Sequence, residues 1–339
     1  MRDYIIRRLL LVIPIMLGVS FLTFSIFRVI PGDPCVLEQG FGATPETVKA
    51  CRDAHGLNDP WYEQYTRWVW DISQPVLTDS LFGIDVGPKI IPSPKFDLGT
   101  TLTEADIEVS TELSRKLPVT VELMIMTMFL SLLLGVPPGV LSAIRPGTPL
   151  DWLARFSSVL WLSIPSFYLG ILVITFGASW FNWTPPQFGT GYVSILDDPW
   201  TNLQEFFFPS LVLALGIAAV IMRLTRSSML EVMRNDYIRT AWSKGLKERT
   251  VVWRHAVKNA LIPVVTLIGL QLGGLLGGSV IIESLFNLNG VGKYTLESII
   301  RRDYITVQSL VLIFAAVYVV TNLVVDIAYA WLDPRIHYG

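Results

Sequence analysis

The sequence predicts an all-α integral membrane protein with about six transmembrane helices, and three observations support this. Hydrophobic residues make up 52% of the 339 residues and charged residues 16%, against roughly 45–50% and about 25% in soluble domains. Six segments hold the roughly 20 mainly apolar residues needed to cross about 30 Å of hydrocarbon. These segments lack the alternation of barrel strands, and an open sheet leaves backbone groups unsatisfied in lipid.

The six predicted spans are distributed along the whole chain, at residues 9–29, 118–144, 153–181, 206–222, 261–282 and 307–331. The first has the basic and then apolar order of a signal peptide. However, its apolar run from Leu9 to Phe27 exceeds the usual length of about 7 to 15 residues, and no A-x-A cleavage site follows. We therefore expect residues 1–30 to form an uncleaved transmembrane helix. Pro137, Pro138 and Pro165 are expected to kink the second and third spans.

Basic residues are distributed unevenly between the two sides that these spans define. With the N-terminus in the cytoplasm, the cytoplasmic segments hold 14 Lys and Arg residues, whereas the short outer segments 182–206 and 283–306 hold only Lys293, Arg301 and Arg302. This contrast follows the positive-inside rule, in which long loops such as residues 31–117 are not counted. Both termini, including the tail 332–339, are therefore predicted to lie in the cytoplasm.

Residues 31–117 are predicted to form a small extracytoplasmic cap. Cys35 and Cys51 both lie in it and are the only cysteines of the chain. The charge distribution places them on the oxidising side of the membrane, and glycine and proline residues between them let the chain turn back. We expect a disulfide between them; two free thiols are the alternative.

An aromatic segment of the cap, Pro60–Ile72, has the sequence PWYEQYTRWVWDI. Trp and Tyr favour the boundary between membrane and water, so this segment can form a helix at the membrane surface. Packing of the same helix within its own loop is equally compatible with the sequence.

The segment Arg223–Ala260, hereafter the hairpin, is too polar to span a membrane. Two helical patterns flank Gly245, at a position where a chain reversal needs a residue that tolerates positive φ. The apolar and weakly polar positions of these patterns are Met229, Met233, Ile238 and Trp242 on one side and Val251, Val252, His255, Ala256 and Asn259 on the other. We expect a helix-turn-helix outside the bilayer.

Within the hairpin, DYIRTAWSKGL followed by RHAVKNALIPVV resembles the coupling motif of ABC importer permeases, in the form found in the dipeptide and oligopeptide permease family. The resemblance continues in IPGDP after the first span, GVPPGVLSA in the second, SIPSFYLGILV in the third and LIGLQLGGLLGGSVIIESLF in the fifth. It covers the chain apart from much of the cap.

Three positions depart from the pattern of that family. Residues 287–290 (NLNG) stand in place of a Trp-Pro-Gly turn, Ile305 stands in place of a proline, and residues 239–241 (RTA) replace the generic Glu-Ala-Ala. The first two concern the outer side of the chain, and the third is common in the peptide permeases.

The resemblance implies a type I ABC importer permease fold, with the permease domain over residues 118–331 and coupling helices at about 223–260. It also implies a short helix that offers a compact knob to a groove on a soluble ATPase subunit. The residues to which it assigns this coupling role are Asp236, Tyr237, Arg239, Thr240, Ala241, Gly245, His255, Asn259 and Pro263. A basic amphipathic helix held against anionic lipid is the alternative interpretation.

The partners that the resemblance implies are a second homologous permease subunit, two ABC ATPase subunits, an extracytoplasmic substrate-binding protein, membrane lipid and a peptide substrate, and no nucleic acid. ATP and Mg²⁺ are expected on the ATPase subunits, because the chain lacks the phosphate-binding sequence G-x-x-x-x-G-K-[ST] and its one Gly-Lys pair, Gly292-Lys293, precedes Tyr294. We therefore expect a non-catalytic subunit without a cofactor in a bacterial or archaeal inner membrane. Nickel and glutathione remain alternatives to a peptide cargo.

Glycines recur through the fifth predicted span. Gly269, Gly273 and Gly277 are four residues apart, with Gly274 and Gly278 beside them. Small residues at this spacing let two helix backbones approach closely in lipid. The stripe predicts either a seam with a second permease subunit or packing within the chain's own bundle.

Two other classes of membrane protein remain as alternatives. A secondary transporter would show inverted repeats, broken helices and a buried coupling charge, none of which is evident in the sequence. A membrane-embedded enzyme would need a nucleophile, a carboxylate pair or a metal site; neither H-E-x-x-H nor G-x-S-x-G occurs, and His55, His255 and His337 are scattered. We expect no metal site.

Overall fold

The computed structural model describes residues 2–29, 42–54, 56–73, 108–185 and 192–332, together with Asp33, Cys35, Val36 and short segments between 75 and 101. The helices are α1 (Arg2–Val29), α2 (Pro45–Ala54), α3 (Trp61–Ser73), α4 (Val109–Ile144), α5 (Pro149–Ser163), α6 (Ser166–Phe181), α7 (Pro199–Val232), α8 (Asp236–Ser243), α9 (Glu248–Thr250), α10 (Val257–Ala260), α11 (Ile262–Leu285), α12 (Val291–Ile300) and α13 (Tyr304–Leu332). A π-helical segment, π1 (Val251–Ala256), joins α9 to α10.

The strands of the described residues all lie in the cap. Strand β1 (Pro75–Thr78) pairs antiparallel with β4 (Ser93–Phe96), in a register that sets Pro75 opposite Phe96. Strand β2 (Ser80–Leu81) pairs with β3 (Ile84–Asp85). The rest of the described secondary structure is helical, so the predicted all-α class is confirmed for the membrane part.

Within the described residues, five helices are long and apolar enough to cross a membrane: Leu10–Val29 of α1, all of α4, α7 and α11, and Tyr304–Val324 of α13. Helices α5 and α6 meet the same criterion only as a pair, bent by 95°. The prediction of about six spans is thus confirmed if that pair counts as one span.

The third span departs from the prediction, because residues 153–181 are not one continuous helix. The chain is extended at Ile164 and Pro165, with ψ values of 120° and 138°. Proline lacks the N–H that would continue the helix and disfavours helical backbone in the residue before it. The bend expected at Pro165 is therefore present as a complete break, whereas α4 continues through Pro137 and Pro138.

The chain divides into two compact units, of which the first combines residues 1–119 with 290–319. In this unit α3 packs on α1: the hydroxyl groups of Tyr65 and Ser20 are 3.0 Å apart, and the rings of Phe24 and Trp68 stack. Trp61 and Trp70, on the same helix, are 59% and 65% exposed. The aromatic segment therefore contacts the first span and presents further rings outward; its position at the membrane surface stays a prediction.

Cys35 and Cys51 are joined by a disulfide in this unit, with Cα atoms 5.8 Å apart, inside the usual range of about 4.4 to 6.8 Å. Both side chains are buried. Asp33 supports the same region, because its carboxylate pairs with Arg52 and accepts the backbone N–H of Cys35 at 3.0 Å.

Replacing Cys51 with serine is expected to destabilise the cap by about 3 kcal/mol, since the bond closes a loop of about 15 residues and restricts the unfolded chain. Mass spectrometry after alkylation without reductant, on protein taken from its own membrane, should find neither thiol labelled, while a reduced sample should show both. Labelling of both thiols without reductant would contradict the pairing.

The second unit combines residues 120–289 with 320–339. Helix α7 lies at its centre, and α5, α6 and α11 pack against it. The starts of α5 and α7 follow the usual rules: Thr148 and Asp198 are the N-caps, each followed by a proline at the first helical position. This unit contains the hairpin.

Candidate functional site

The hairpin continues directly from the helices of the bundle. Helix α7 ends at Val232, a short turn leads into α8, and α9, π1 and α10 return the chain to the start of α11. Its inner surface is apolar and belongs to a buried cluster with the end of α4: Val140, Ala143, Met229, Ile238, Ala241, Val251, Val252, Ala256, Val257 and Ala260. The hairpin is therefore an anchored extension of the bundle.

The turn at Gly245 is a Schellman motif. Gly245 has φ +72°, its N–H donates to the carbonyl oxygen of Trp242 at 2.9 Å, and the N–H of Leu246 donates to that of Ala241 at 3.4 Å. Both bonds satisfy carbonyl groups that a helix end leaves open, and the left-handed backbone favours glycine. The structure thus has the positive φ that the sequence predicts here.

The same motif ends α11 and α12, but without glycine. Asn287 has φ +58° and Arg302 has φ +55°. In each case the N–H of the next residue donates to the carbonyl oxygen of the third residue from the helix end. Asparagine is one of the few other residues that adopt this backbone readily. The departure at residues 287–290 therefore still makes a turn of ordinary geometry.

Helix α8 has one buried and one exposed face. Ile238 is fully buried and Ala241 is 7% exposed, so both lie in the apolar cluster. Ala241 is one of the predicted coupling residues, yet its side chain packs inside the hairpin. Because the side chain of Ala241 is small, α8 can lie close to π1. We therefore expect Ala241 to hold α8 in place.

The other coupling residues of α8 face outward. Asp236, Tyr237, Arg239 and Thr240 are all exposed. Arg239 pairs with Asp236 at 3.5 Å, and the Thr240 hydroxyl donates to the Asp236 carbonyl oxygen at 2.9 Å. These contacts are local to α8, so the face remains accessible to a partner.

The remaining predicted coupling positions lie on the return segment. Asn259 donates its side-chain amide to the Tyr237 hydroxyl at 2.9 Å and to the His255 carbonyl oxygen at 3.0 Å. It thereby ties α10 to α8. Pro263 lies in the first turn of α11, where its missing N–H costs nothing.

The sequence pattern did not reveal π1. Six residues, Val251–Ala256, take π-helical geometry. This geometry is rare in proteins as a whole, but where it occurs it is often found at functional sites. The wider turn places Val251, Val252 and Ala256 in the cluster while Trp253 is 52% exposed. Helical periodicity alone does not distinguish such a segment from an ordinary α-helix.

A buried ionic network joins α4, α5 and α7 beside the hairpin, and no sequence pattern predicted it. Asp151 is 1% exposed. Its carboxylate accepts Arg226 Nε at 2.8 Å, a second Arg226 nitrogen at 3.1 Å, the backbone N–H of Gly147 at 3.0 Å and the Ser142 hydroxyl. This carboxylate therefore ties three helices together where the hairpin begins.

The glycines of α11 differ in their surroundings. Gly269 is buried and Gly273 half-buried, whereas Gly274, Gly277 and Gly278 are exposed. A Cβ atom built on any of the last three would meet no atom within 4 Å. This part of the stripe therefore faces away from the chain's own described residues.

Two glycines of α4 make close contacts with the backbone of α7 within this unit. A Cβ on Gly135 would lie 2.8 Å from the carbonyl oxygen of Ala218, and one on Gly139 would lie 2.7 Å from that of Met222. The two glycines are four residues apart, the same spacing that marked the stripe on α11. That spacing in GVPPG was the signal from which this contact could have been predicted.

At the other end of α7, Tyr192 and Asp198 lie outside the spans. Tyr192 donates its hydroxyl to Glu122 at 2.9 Å, and burial, together with this carboxylate, raises the pKa of Tyr192 to about 12. The Thr201 hydroxyl, with backbone N–H groups of the first turn, holds the pKa of Asp198 below its usual range. Asp198 is thus a charged cap at neutral pH.

Comparison with solved structures shows a shared fold. A chain of the MetNI methionine ABC transporter, in an inward-facing conformation, matches with a TM-score of 0.52 at 18% identity, over 66% of this chain and 97% of that chain. Apolar helices long enough to cross a membrane, together with an anchored and exposed hairpin, define the class: a helical membrane protein that shares the fold of that chain.

Sequence comparison defines the family. The model of the binding-protein-dependent transport system inner membrane component matches residues 135–338, and that of its N-terminal region matches residues 1–124. The dipeptide transport system permease protein of Alkalihalophilus pseudofirmus is 35% identical, and the oligopeptide transport system permease protein of Bacillus subtilis is 37% identical, each over 100% of both chains.

The chain therefore belongs to the family of binding-protein-dependent transport system inner membrane components. The resemblance stated from the hairpin motif is confirmed, and the chain is a multi-pass, non-catalytic permease subunit of an ABC transporter.

Proposed function

We propose that this permease forms half of the pore through which an ATP-driven importer takes up di- or oligopeptides. The support for this cargo is the full-length similarity to a dipeptide and an oligopeptide transport permease. The proposed partners are a second homologous permease, two ABC ATPase subunits and an extracytoplasmic binding protein that delivers the peptide. Both termini and the hairpin are proposed to lie in the cytoplasm, as the charge distribution predicts.

One observation carries the proposed coupling to the ATPase subunits: α8 has an exposed polar face on a buried apolar base. Ile238 and Ala241 anchor the helix while Tyr237 and Arg239 face outward. A short helix held in this way can fill a groove on a soluble partner. Because the apolar base is shared with α4 and α7, a displacement of α8 is passed on to the spanning helices.

The free energy for transport comes from the partner chains in this scheme. ATP binds more tightly to the closed pair of ATPase subunits than to the open pair, and only such a difference in affinity can shift a conformational equilibrium. The permease contributes the mechanical link through the hairpin and the pathway through the bundle.

Replacing Gly245 with proline is expected to lower peptide-dependent ATPase activity about tenfold or more. Proline fixes φ near −65° and removes the N–H that Trp242 accepts, and a cost above about 1.4 kcal/mol shifts an equilibrium tenfold. The measurement uses the purified complex with the loaded binding protein, beside uptake of labelled peptide in cells. Membrane insertion of the chain should be unchanged.

Gly245→Asn is the matched control, since asparagine tolerates the left-handed backbone and keeps the N–H; its activity should stay near that of the wild type. Unchanged stimulation in the proline variant would contradict coupling through α8. Uptake driven by an ion gradient, without ATPase stimulation by the binding protein in the wild type, would contradict the importer itself.

A further inference from the structure

A groove of about 380 Å³ lies where α4 ends, α5 begins and α9 meets π1. Two cations line it, Arg145 and Arg249, and both side chains are exposed. Neither guanidinium has a hydrogen-bond or ion-pair partner among the described residues. The third charged group of the groove is Glu248, so the three side chains sum to one positive charge.

The other side chains that line the groove are apolar. Leu141 and Leu150 line it and are each 45% exposed, and Trp253 beside them is 52% exposed. Leu153, one helical turn after Leu150, is 66% exposed, so the apolar surface continues along α5 in the direction of the bilayer. A ligand that fits has an anionic group and a long apolar part.

The end of a predicted span borders the groove, so we expect the groove to lie near the lipid headgroups. Arg145 directly follows the last residue of α4, at the end of the second predicted span. Tryptophan favours this boundary, and basic pockets between helices on the cytoplasmic side are suited to anionic headgroups.

We propose that this groove binds an anionic phospholipid of the cytoplasmic leaflet, with its phosphate between Arg145 and Arg249 and an acyl chain along Leu150 and Leu153. The proposal rests on the cytoplasmic placement of the hairpin given above. Because residues of α4, α5, α9 and π1 all line the groove, a bound lipid holds π1 against the start of α5.

The test is a lipid titration of the purified complex by native mass spectrometry, with phosphatidylglycerol and phosphatidylcholine of identical acyl chains. The wild type should prefer phosphatidylglycerol. The double variant Arg145→Gln with Arg249→Gln should bind it about 25-fold more weakly, because each basic residue near an anionic surface contributes about fivefold. The matched control is Arg254→Gln, which removes an exposed charge of π1 outside the groove.

The single variant Arg249→Gln, expected to lose about fivefold, keeps the test decisive if the double variant does not assemble. Equal binding of the two lipids by the wild type, or equal loss in the control, would overturn the proposal. Loss of the ATPase subunits from the double variant with unchanged lipid binding would assign the groove to that partner. Competition by inorganic phosphate as strong as by phosphatidylglycerol would show that the groove does not select a lipid.

Discussion

Replacing Asp151 with alanine is expected to lower the stability of the chain by about 3 kcal/mol. Removal of one partner from a buried ion pair costs about 3–5 kcal/mol because the other charge stays buried, and Arg226 is 22% exposed, so the lower value applies. The Ser142 hydroxyl and the Gly147 N–H lose their acceptor as well.

The measurement is thermal unfolding of the purified complex, arranged as a double-mutant cycle with Arg226→Leu. The double variant should be more stable than the sum of the two single losses predicts, because it leaves no buried charge unpaired. Arg115→Ala is the control, since it breaks an exposed ion pair that contributes little. Additive losses in the cycle would mean that the two side chains do not interact as the structure shows.

Replacing Gly139 with leucine is expected to separate α4 from α7 and to leave little assembled complex. Even alanine places a Cβ 2.7 Å from the Met222 carbonyl oxygen and 2.8 Å from Thr225 Cβ. The first of these is backbone, which cannot rotate away, so the helices must shift; overpacking of this kind costs about 1–3 kcal/mol. Thermal unfolding should show a graded loss from Gly139→Ala to Gly139→Leu.

Gly277 on α11 offers a matched control, because a Cβ there meets no atom within 4 Å. Gly277→Ala should leave the stability of the chain unchanged or slightly higher, since alanine is the better helix former. If the exposed part of the stripe packs on the proposed second permease, Gly277→Leu should lower recovery of the pair while the chain still inserts. A Gly139→Ala variant as stable as the wild type would disprove the close approach of α4 and α7.

The hairpin shows how far local sequence information reaches. The turn at Gly245 and a helix on either side of it were predictable because each depends on a few neighbouring residues. The start at Arg223 was not, since α7 continues through this residue to Val232. The burial of Ala241 was not, since a resemblance assigns a residue to a motif without saying which of its faces packs. A similar limit applies to π1, whose residues fit the same sequence periodicity as an ordinary α-helix.

The sequence by itself determined the membrane class, the positions of the five continuous spans and the family, because composition, apolar length and motif order require no knowledge of what lies opposite each residue. Tertiary structure alone decided which of two similar glycine patterns packs within the bundle: Gly135 and Gly139 face the backbone of α7, whereas Gly277 and Gly278 face open space. It also decided that Asp151 pairs with Arg226, 75 residues away. Both outcomes depend on distances between helices, and these distances are set by the packing of the whole unit.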